Sequence, residues 1–420
     1  MARLKIAFVY DALYPYVIGG AERRYYELAR RLALDHEVHF YSWTYWSAGD
    51  SRLNPDVHHH GVGSPPRFYA NDGKRRISEA LAFALRLTPQ LARARFDVID
   101  CASMPYLPTL SAQACARMTG TPLLVTWHEY WGPYWRSYLP RLASAAAAIE
   151  RLSTLAGDIH VAVSSLTASR LRASSLRHVP TVVVPNGVDL DVLQAASPAF
   201  KSGEVVFLGR LIREKRVDLL LRALALLRPK HKDLRCTIVG DGPMRPELER
   251  LASELGLQDS VAFTGFLEER AALETLRASG VCVLPSEREG FGMVVAESQA
   301  IGVPVIVTRS PESAATDLVE DGVTGLICEA DPGSLAAALD TVHSSSALRK
   351  RITENGRKTS LSYGWDRAAE TMETIYWAAA RREGHGNILQ SLSRHGAGEQ
   401  TPHPVTVGAP PGRHAPGPRL

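Results

Sequence analysis

Val281-Cys-Val-Leu284 is an apolar run that stops at a proline, and Pro285-Ser-Glu-Arg-Glu-Gly-Phe-Gly-Met-Val-Val-Ala-Glu-Ser-Gln-Ala-Ile301 follows it. The run reads as a buried strand, the polar middle as a loop, and the part from about Phe291 as a helix. Gly290 and Gly292 let backbone N–H groups approach a ligand closely, and a helix start adds unpaired donors and partial positive charge. That is the form of an anion site. Two carboxylates frame it: Glu289 before the helix and Glu297 about a turn and a half inside. A phosphate on the amides, with sugar hydroxyls on the carboxylates, would use every unusual residue here. An ordinary strand–turn–helix connection with two solvated glutamates would use the same residues, so the rest of the chain decides.

Short β-rich runs alternate with helical patterns along the whole chain, which predicts parallel sheets built from βαβ units. In the first half the expected strands are Lys5–Val9, Glu37–Tyr41, Phe96–Asp100, Leu123–Thr126, Ile159–Val163 and Val182–Val184. Expected helices include Ala21–Leu34 and Ser78–Leu87, the latter begun by a serine cap and stopped by Pro89. The second half repeats the rhythm with Val205–Leu208, Cys236–Val239, Val261–Phe263, Val281–Leu284, Val305–Val307 and Leu326–Cys328. Around Asp191–Gly203 the pattern lapses into a linker. Asp366–Arg382 reads as one more helix, and residues 383–420, rich in Gly, Pro, His and Ser, read as a disordered tail. The fold class is therefore α/β, with two doubly wound parallel-sheet domains facing across a cleft, where ligands sit at the carboxyl ends of strands.

Composition agrees with this and excludes other classes. A chain of 420 residues is too long for one ordinary core. Its 45% hydrophobic and 22% charged content is that of a soluble globular protein. The amino end has no signal-peptide core, no run approaches a membrane span, and five scattered cysteines without a C-x-x-C pair suit a reducing compartment. A cytoplasmic location is expected. Residues 1–200 carry 21 Lys and Arg against 16 Asp and Glu, a basic excess too small to imply nucleic acid.

Further loops fall at strand ends. Gly19-Gly20 opens the first helix and could approach a phosphate, but the segment lacks the G-x-G-x-x-G order of a dinucleotide site. After Val205-Val-Phe-Leu208 come Gly209-Arg-Leu-Ile-Arg-Glu-Lys215. Arg210 offers a planar fork for phosphate oxygens and Lys215 a compact charge, a pair suited to a diphosphate. Asp189-Leu-Asp191 has the spacing of a metal-binding pair but reads as structural. His58-His-His60 could take a metal adventitiously and reads as a solvated loop.

Gly209-Arg-Leu-x3-Lys215, Val239-Gly-Asp-Gly-Pro243, Phe263-Thr-Gly-Phe266 and Glu289-Gly-Phe-Gly-x4-Glu297, in this order, resemble the donor-binding domain of family 4 retaining glycosyltransferases. Gly19-Gly20-Ala-Glu22, Trp127-His-Glu129 and Asn186-Gly-Val-Asp189 are similar to that family's amino-domain and linker signatures. The match covers residues 1 to about 380. The resemblance implies the GT-B fold: Rossmann-like domains at 1–190 and 200–362, a helix at 363–382 crossing back to the first domain, and a nucleotide-sugar in the cleft. It assigns Arg210 and Lys215 to the donor diphosphate, Glu297 to ribose hydroxyls and Glu289 to the donor sugar. Gly290 and the amides of Phe291 and Gly292, with Gly19 and Gly20 opposite, complete the phosphate cradle. Phe266 borders the base and His128 lies beside the sugar.

The resemblance implies transfer to a hydroxyl acceptor, glycan, lipid-linked or small molecule, with no metal and no resident cofactor. A UDP-sugar is favoured over GDP-mannose. Three departures stand out: Glu297-Ser-Gln-Ala, Arg309-Ser-Pro-Glu-Ser313 where Gly-Gly is usual, and Glu129 where Asp is usual. Five of the seven tryptophans cluster at Trp43/Trp46 and Trp127/Trp131/Trp135, after expected strands. They suit either acceptor binding or packing. Arg23, Arg24, Arg30 and Arg31 form either a solvated helix face or a contact for anionic lipid, which would place the protein at the inner membrane face. The competing readings are a nucleotide-sugar epimerase and a non-catalytic nucleotide-sugar binder.

Overall fold

The structure is a computed structural model and describes residues 2–66, 76–194 and 203–383. The tail expected at 383–420, apart from Glu383, and most of the expected linker lie outside the described residues. The linker's first part is instead a short helix, Leu190–Gln194.

The amino-terminal half forms a seven-stranded sheet in the order β3-β2-β1-β4-β5-β6-β7. Its strands are β1 (Lys5–Val9), β2 (Glu37–Ser42), β3 (Val57–Gly61), β4 (Val98–Ala102), β5 (Leu123–Trp127), β6 (Ile159–Ala162) and β7 (Thr181–Val183). Helices α1 (Gly20–Leu32), α2 (Ile77–Arg93), α3 (Tyr106–Thr119), α4 (Trp135–Tyr138), α5 (Ala143–Ser153) and α6 (Ser165–Ser174) accompany it, while α7 (Leu190–Gln194) packs with the core of the second half. The second half holds a six-stranded sheet, β10-β9-β8-β11-β13-β15. Its strands are β8 (Glu204–Leu208), β9 (Arg235–Val239), β10 (Val261–Gly265), β11 (Val281–Leu284), β13 (Val305–Thr308) and β15 (Leu326–Cys328). Between them run α8 (Val217–Leu227), α9 (Arg245–Glu254), α10 (Glu269–Arg277), α11 (Met293–Ile301), α12 (Pro332–Ser344) and α13 (Ser346–Ser360). A two-residue ladder, β12 (Arg288–Glu289) with β14 (Glu312–Ser313), stands apart.

All ladders of both sheets are parallel. In each sheet the chain winds outward one way and then reverses, which leaves a crevice between β1 and β4 and another between β8 and β11. Central strands are mostly apolar on both faces because helices cover both, and β4, β5, β11 and β13 are buried throughout, β4 with Asp100 inside.

The last helix, α14 (Trp365–Ala380), belongs to the first domain's core although it follows the second domain. Trp365, Met372, Ile375 and Tyr376 pack with Phe8, Tyr25 and Leu28. The Tyr376 hydroxyl donates to Asp100 Oδ2 at 2.6 Å, and Tyr25 and Thr126 donate to Oδ1 at 3.0 and 2.8 Å. The two chain crossings run side by side: Val188 N–H donates to the Tyr363 carbonyl at 2.7 Å. A Cβ at Gly187 would lie 2.6 Å from Trp365 Cα, so that crossing requires glycine.

Four expectations are corrected. Helix α2 does not stop at Pro89 but runs to Arg93. Its buried row Phe83, Leu87 and Leu91 packs along α3, and that burial outweighs the one backbone hydrogen bond the proline removes. Helix α11 starts at Met293, after Gly292 at φ +98°, rather than at Phe291. His58-His-His60 is part of strand β3, paired with β2 from Val57 to Gly61, and not a solvated loop. The α1 arginines are not a plain solvated face. Arg24 is fully buried, and Arg23, Arg30 and Arg31 all pair with the buried Glu27.

Candidate active site

The loops after β8 and β11 meet at the second sheet's switch point. Lys215 closes a short 3-10 turn after β8 and donates to Glu289 Oε1, at the end of β12. Both side chains are largely buried, 19% and 12% exposed. Arg210 lies in the same loop and is exposed. The Glu287 N–H donates to the Glu214 carbonyl at 2.8 Å, holding the two loops together.

Two helix N-termini face each other across the domain boundary. Gly20 is the first residue of α1 and Met293 the first of α11. A Cβ added at Gly20 would sit 3.2 Å from Met293 Sδ. Each start presents unpaired N–H groups and a partial positive charge to the same space, a favourable place for an anion. Gly292 caps α11 in the left-handed region that favours glycine. Gly19 is extended, but a Cβ there would overlap Glu22. Gly290 lies against the other domain, where a Cβ would overlap the His128 carbonyl oxygen. Phe291 turns its ring inward onto Tyr363, leaving its backbone to line the loop.

Glu297, on the second turn of α11, keeps part of its side chain uncovered. Burial nonetheless pushes its carboxyl up to about 7, with Arg23 across the boundary acting the other way and Glu269 adding to the rise. His128 follows β5. Burial first, then the charge of Arg24, pulls it down to about 3, so its ring is neutral at physiological pH. Its Nε2 has no hydrogen-bond partner among the described residues. Phe266, just past β10, is 57% exposed, a flat apolar ring at the rim. Thus Lys215, Glu289, Gly290, Gly292, Gly20 and His128 are brought together at one boundary, with Arg210 in the adjoining loop and Phe266 further out.

Sequence reasoning missed Arg288, which is buried at this boundary. It donates to Glu129 Oε2 at 2.9 Å, and its guanidinium lies 4.4 Å from the Tyr134 ring centroid. The unusual Glu129 is thus an interdomain partner, as is Glu312 of the unusual 309–313 turn, bound by Arg170 and Arg288. Tyr14 and Arg23 donate to Glu269, and Tyr134 to Glu214. No local pattern signals these pairs. Asp189 caps the Val192 N–H at 3.3 Å. Of the tryptophans, Trp43, Trp127 and Trp135 are core residues, while Trp46 and Trp131 stay partly exposed.

Residues 18–192 match the family model described as Glycosyltransferase Family 4, and residues 194–359 the model Glycosyl transferases group 1. A GDP-mannose-dependent alpha-(1-6)-phosphatidylinositol dimannoside mannosyltransferase of Mycobacterium tuberculosis is 30% identical over 274 residues, 63% of this chain and 70% of that protein. A D-inositol 3-phosphate glycosyltransferase of Thermomonospora curvata is 32% identical over 222 residues, 47% and 51% of the two chains. The chain spans about half the length of the several inositol-phosphate relatives it matches. A sucrose-phosphate synthase from Thermosynechococcus elongatus superposes with a TM-score of 0.78 at 21% identity, covering 91% of this chain and all of that one. Anabaena HepE, solved with UDP-glucose, gives 0.71 at 19% identity, covering 89% and 99%. The fold is that of the GT-B glycosyltransferases. The chain belongs to glycosyltransferase family 4.

Proposed function

We propose that the protein is a retaining glycosyltransferase that moves a hexose-type sugar from a nucleotide-sugar to a hydroxyl acceptor, a glycan, a lipid-linked sugar or a small molecule. The observation that carries this reading is the meeting of two helix starts, at Gly20 and Met293, beside Lys215. Arg210 and Lys215 neutralise the departing diphosphate, and the amides of Phe291 and Gly292, with Gly19 and Gly20 opposite, cradle it. Cationic side chains and helix dipoles supply the charge stabilisation, so no metal is required. Glu297 accepts from the ribose hydroxyls, Glu289 from the donor sugar, and Phe266 borders the base.

The acceptor oxygen attacks the anomeric carbon on the face the diphosphate leaves. The C–O bond to phosphate breaks as the new one forms, and the departing phosphate oxygen takes the acceptor's proton. His128, neutral and with a free ring nitrogen, orients the sugar rather than holding a charge near it. A UDP-sugar is the favoured donor; the mycobacterial relative's name specifies GDP-mannose for that protein. A panel of nucleotide-sugars, read by thermal shift and by mass spectrometry of products, tests the proposal. Donor consumption without acceptor would instead indicate an epimerase, and binding without turnover a non-catalytic binder. An inverted product, or a sugar trapped covalently on a side chain, would sink the same-face route.

No helix among the described residues is long and apolar enough to cross a membrane. Peripheral contact remains part of the proposal on a surface other than the α1 arginines. Ile77, Leu81 and Leu85 form an exposed apolar row on α2, flanked by the exposed Arg76 and Arg86, a suitable edge for an anionic membrane.

A further inference from the structure

Away from the cleft, at the amino ends of β1, β2 and β3, lies a cluster of metal-ligating side chains that the transfer reaction does not use. Parallel pairing sets His39 opposite His58 and Tyr41 opposite His60, while Lys5 stands opposite Glu37. Because side chains alternate along a strand, Glu37, His39, His58 and His60 share one face, and His59 turns to the other, against Phe40 and Trp46. Glu37, His39 and His58 each offer one ligand atom within 4.8 Å of the other two.

We propose that Glu37, His39 and His58 bind one divalent transition-metal ion of the zinc class. Imidazole nitrogens with one carboxylate oxygen form the donor set such ions prefer, and a fourth position stays open for water. A tetrahedral zinc with bonds of about 2.0–2.1 Å holds its ligand atoms roughly 3.3 Å apart, so modest side-chain rotation closes the site. His39 Nε2 already lies 2.8 Å from Glu37 Oε1. Its other nitrogen, Nδ1, lies 2.8 Å from His60 Nε2. With Nε2 on the metal, Nδ1–H donates to His60, the outer hydrogen bond that fixes a ligating histidine's tautomer and ring orientation. His58 is exposed on the edge strand, so it is free to turn toward the ion.

Lys5 opposes binding, since its ammonium lies 2.8 Å from Glu37 Oε1. A second cluster, His231, Asp233 and His343, is weaker because His231 Nε2 is engaged by Asp340 at 2.7 Å. The ion would pin edge strand β3 to β2. Sitting at the amino ends of the strands, it is remote from the loops at their carboxyl ends, and turnover is expected to be indifferent to it.

The test is a titration of the chelator-treated full chain with zinc chloride by calorimetry, with cobalt(II) absorption reporting coordination geometry. The expected result is one ion per chain with Kd on the order of micromolar and a rise in Tm on zinc addition. His58→Gln, at an exposed position that leaves folding intact, should weaken binding at least tenfold, as should His39→Gln. His59→Gln should stay within twofold of wild type, and Lys5→Met should bind tighter. Absence of zinc binding by the wild-type chain overturns the proposal. So does wild-type affinity in His58→Gln, or zinc lost in His231→Ala but kept in His58→Gln.

Discussion

Lys215 and Glu289, 74 residues apart in the chain, hold each other across the switch point between β8 and β11. The pair keeps an ammonium desolvated and aimed without leaving its charge unbalanced, and the lysine's two remaining donors can still meet a phosphate. Lys215→Met should therefore lower kcat/KM by about 10²-fold, with weaker UDP binding, because the leaving group loses a fixed cation. Glu289→Ala should keep the thermal shift given by UDP while transfer falls by at least about 10²-fold. Steady-state kinetics beside a nucleotide thermal shift separate the two effects.

Two glycines at the domain boundary should differ in a ranked way. A Cβ at Gly290 meets backbone, the His128 carbonyl, which cannot move without displacing β5. A Cβ at Gly20 meets the end of the Met293 side chain at 3.2 Å, which can turn aside. Gly290→Ala is expected to cost about 10²-fold or more in kcat/KM, and Gly20→Ala only a few-fold. Equal effects in parallel assays would count against the boundary described.

Glu297 carries a pH signature. Its folded pKa, about 7, is raised above the ordinary 4.5, chiefly by burial. The stability gained from the protonated form is full below about pH 4.5 and is lost as pH rises through about 7. The Tm of the free protein should fall from pH 5 to 8 relative to Glu297→Gln. Ribose hydroxyls are better held by the carboxylate, so the donor KM should fall over the same interval and lose that slope in the Gln variant. Thermal melts and kinetics at fixed ionic strength check both.

His59 and His60 act in the opposite sense. Burial holds both down to about 4 from 6.5, against a hydrogen bond with the Asn54 backbone at His59 and with the help of neighbouring histidines at His60. Neutral in the fold, they contribute stability that is complete above pH 6.5 and lost as the unfolded chain takes up protons on the way down to about 4. The double variant His59→Gln, His60→Gln should flatten the decline in Tm between those values, as thermal melts across that interval would show.

The membrane row is testable separately. At low salt the protein should float with anionic liposomes, and Leu81→Glu with Leu85→Glu should abolish flotation without altering transfer to a soluble acceptor. Failure of the wild-type protein to float at low salt removes the membrane reading.

Most of the sheet was legible because strands buried on both faces are mostly apolar, and Val281-Cys-Val-Leu284 could hardly be anything else. Strand β3 was not, since Val-His-His-His-Gly is polar and its place at the edge comes from pairing with β2. The run of α2 through Pro89 depends on α3, and propensity alone argues for a stop. Within the site, Gly290, Gly292, Lys215 and Glu289 announce themselves by type and spacing. Arg288 with Glu129, and Arg23 with Glu269, join residues 159 and 246 positions apart, and nothing local marks them. The arginines of α1 were misread for the same reason: Arg24 binds the Val184 and Pro185 carbonyls at the domain crossing, which only the fold brings near.

The most direct test is a crystal structure of the protein with UDP bound. The account predicts the β-phosphate between the starts of α1 and α11, within hydrogen-bond distance of the Phe291 or Gly292 amide and of Lys215 Nζ. A diphosphate seated elsewhere, with Lys215 still held only by Glu289, would contradict it.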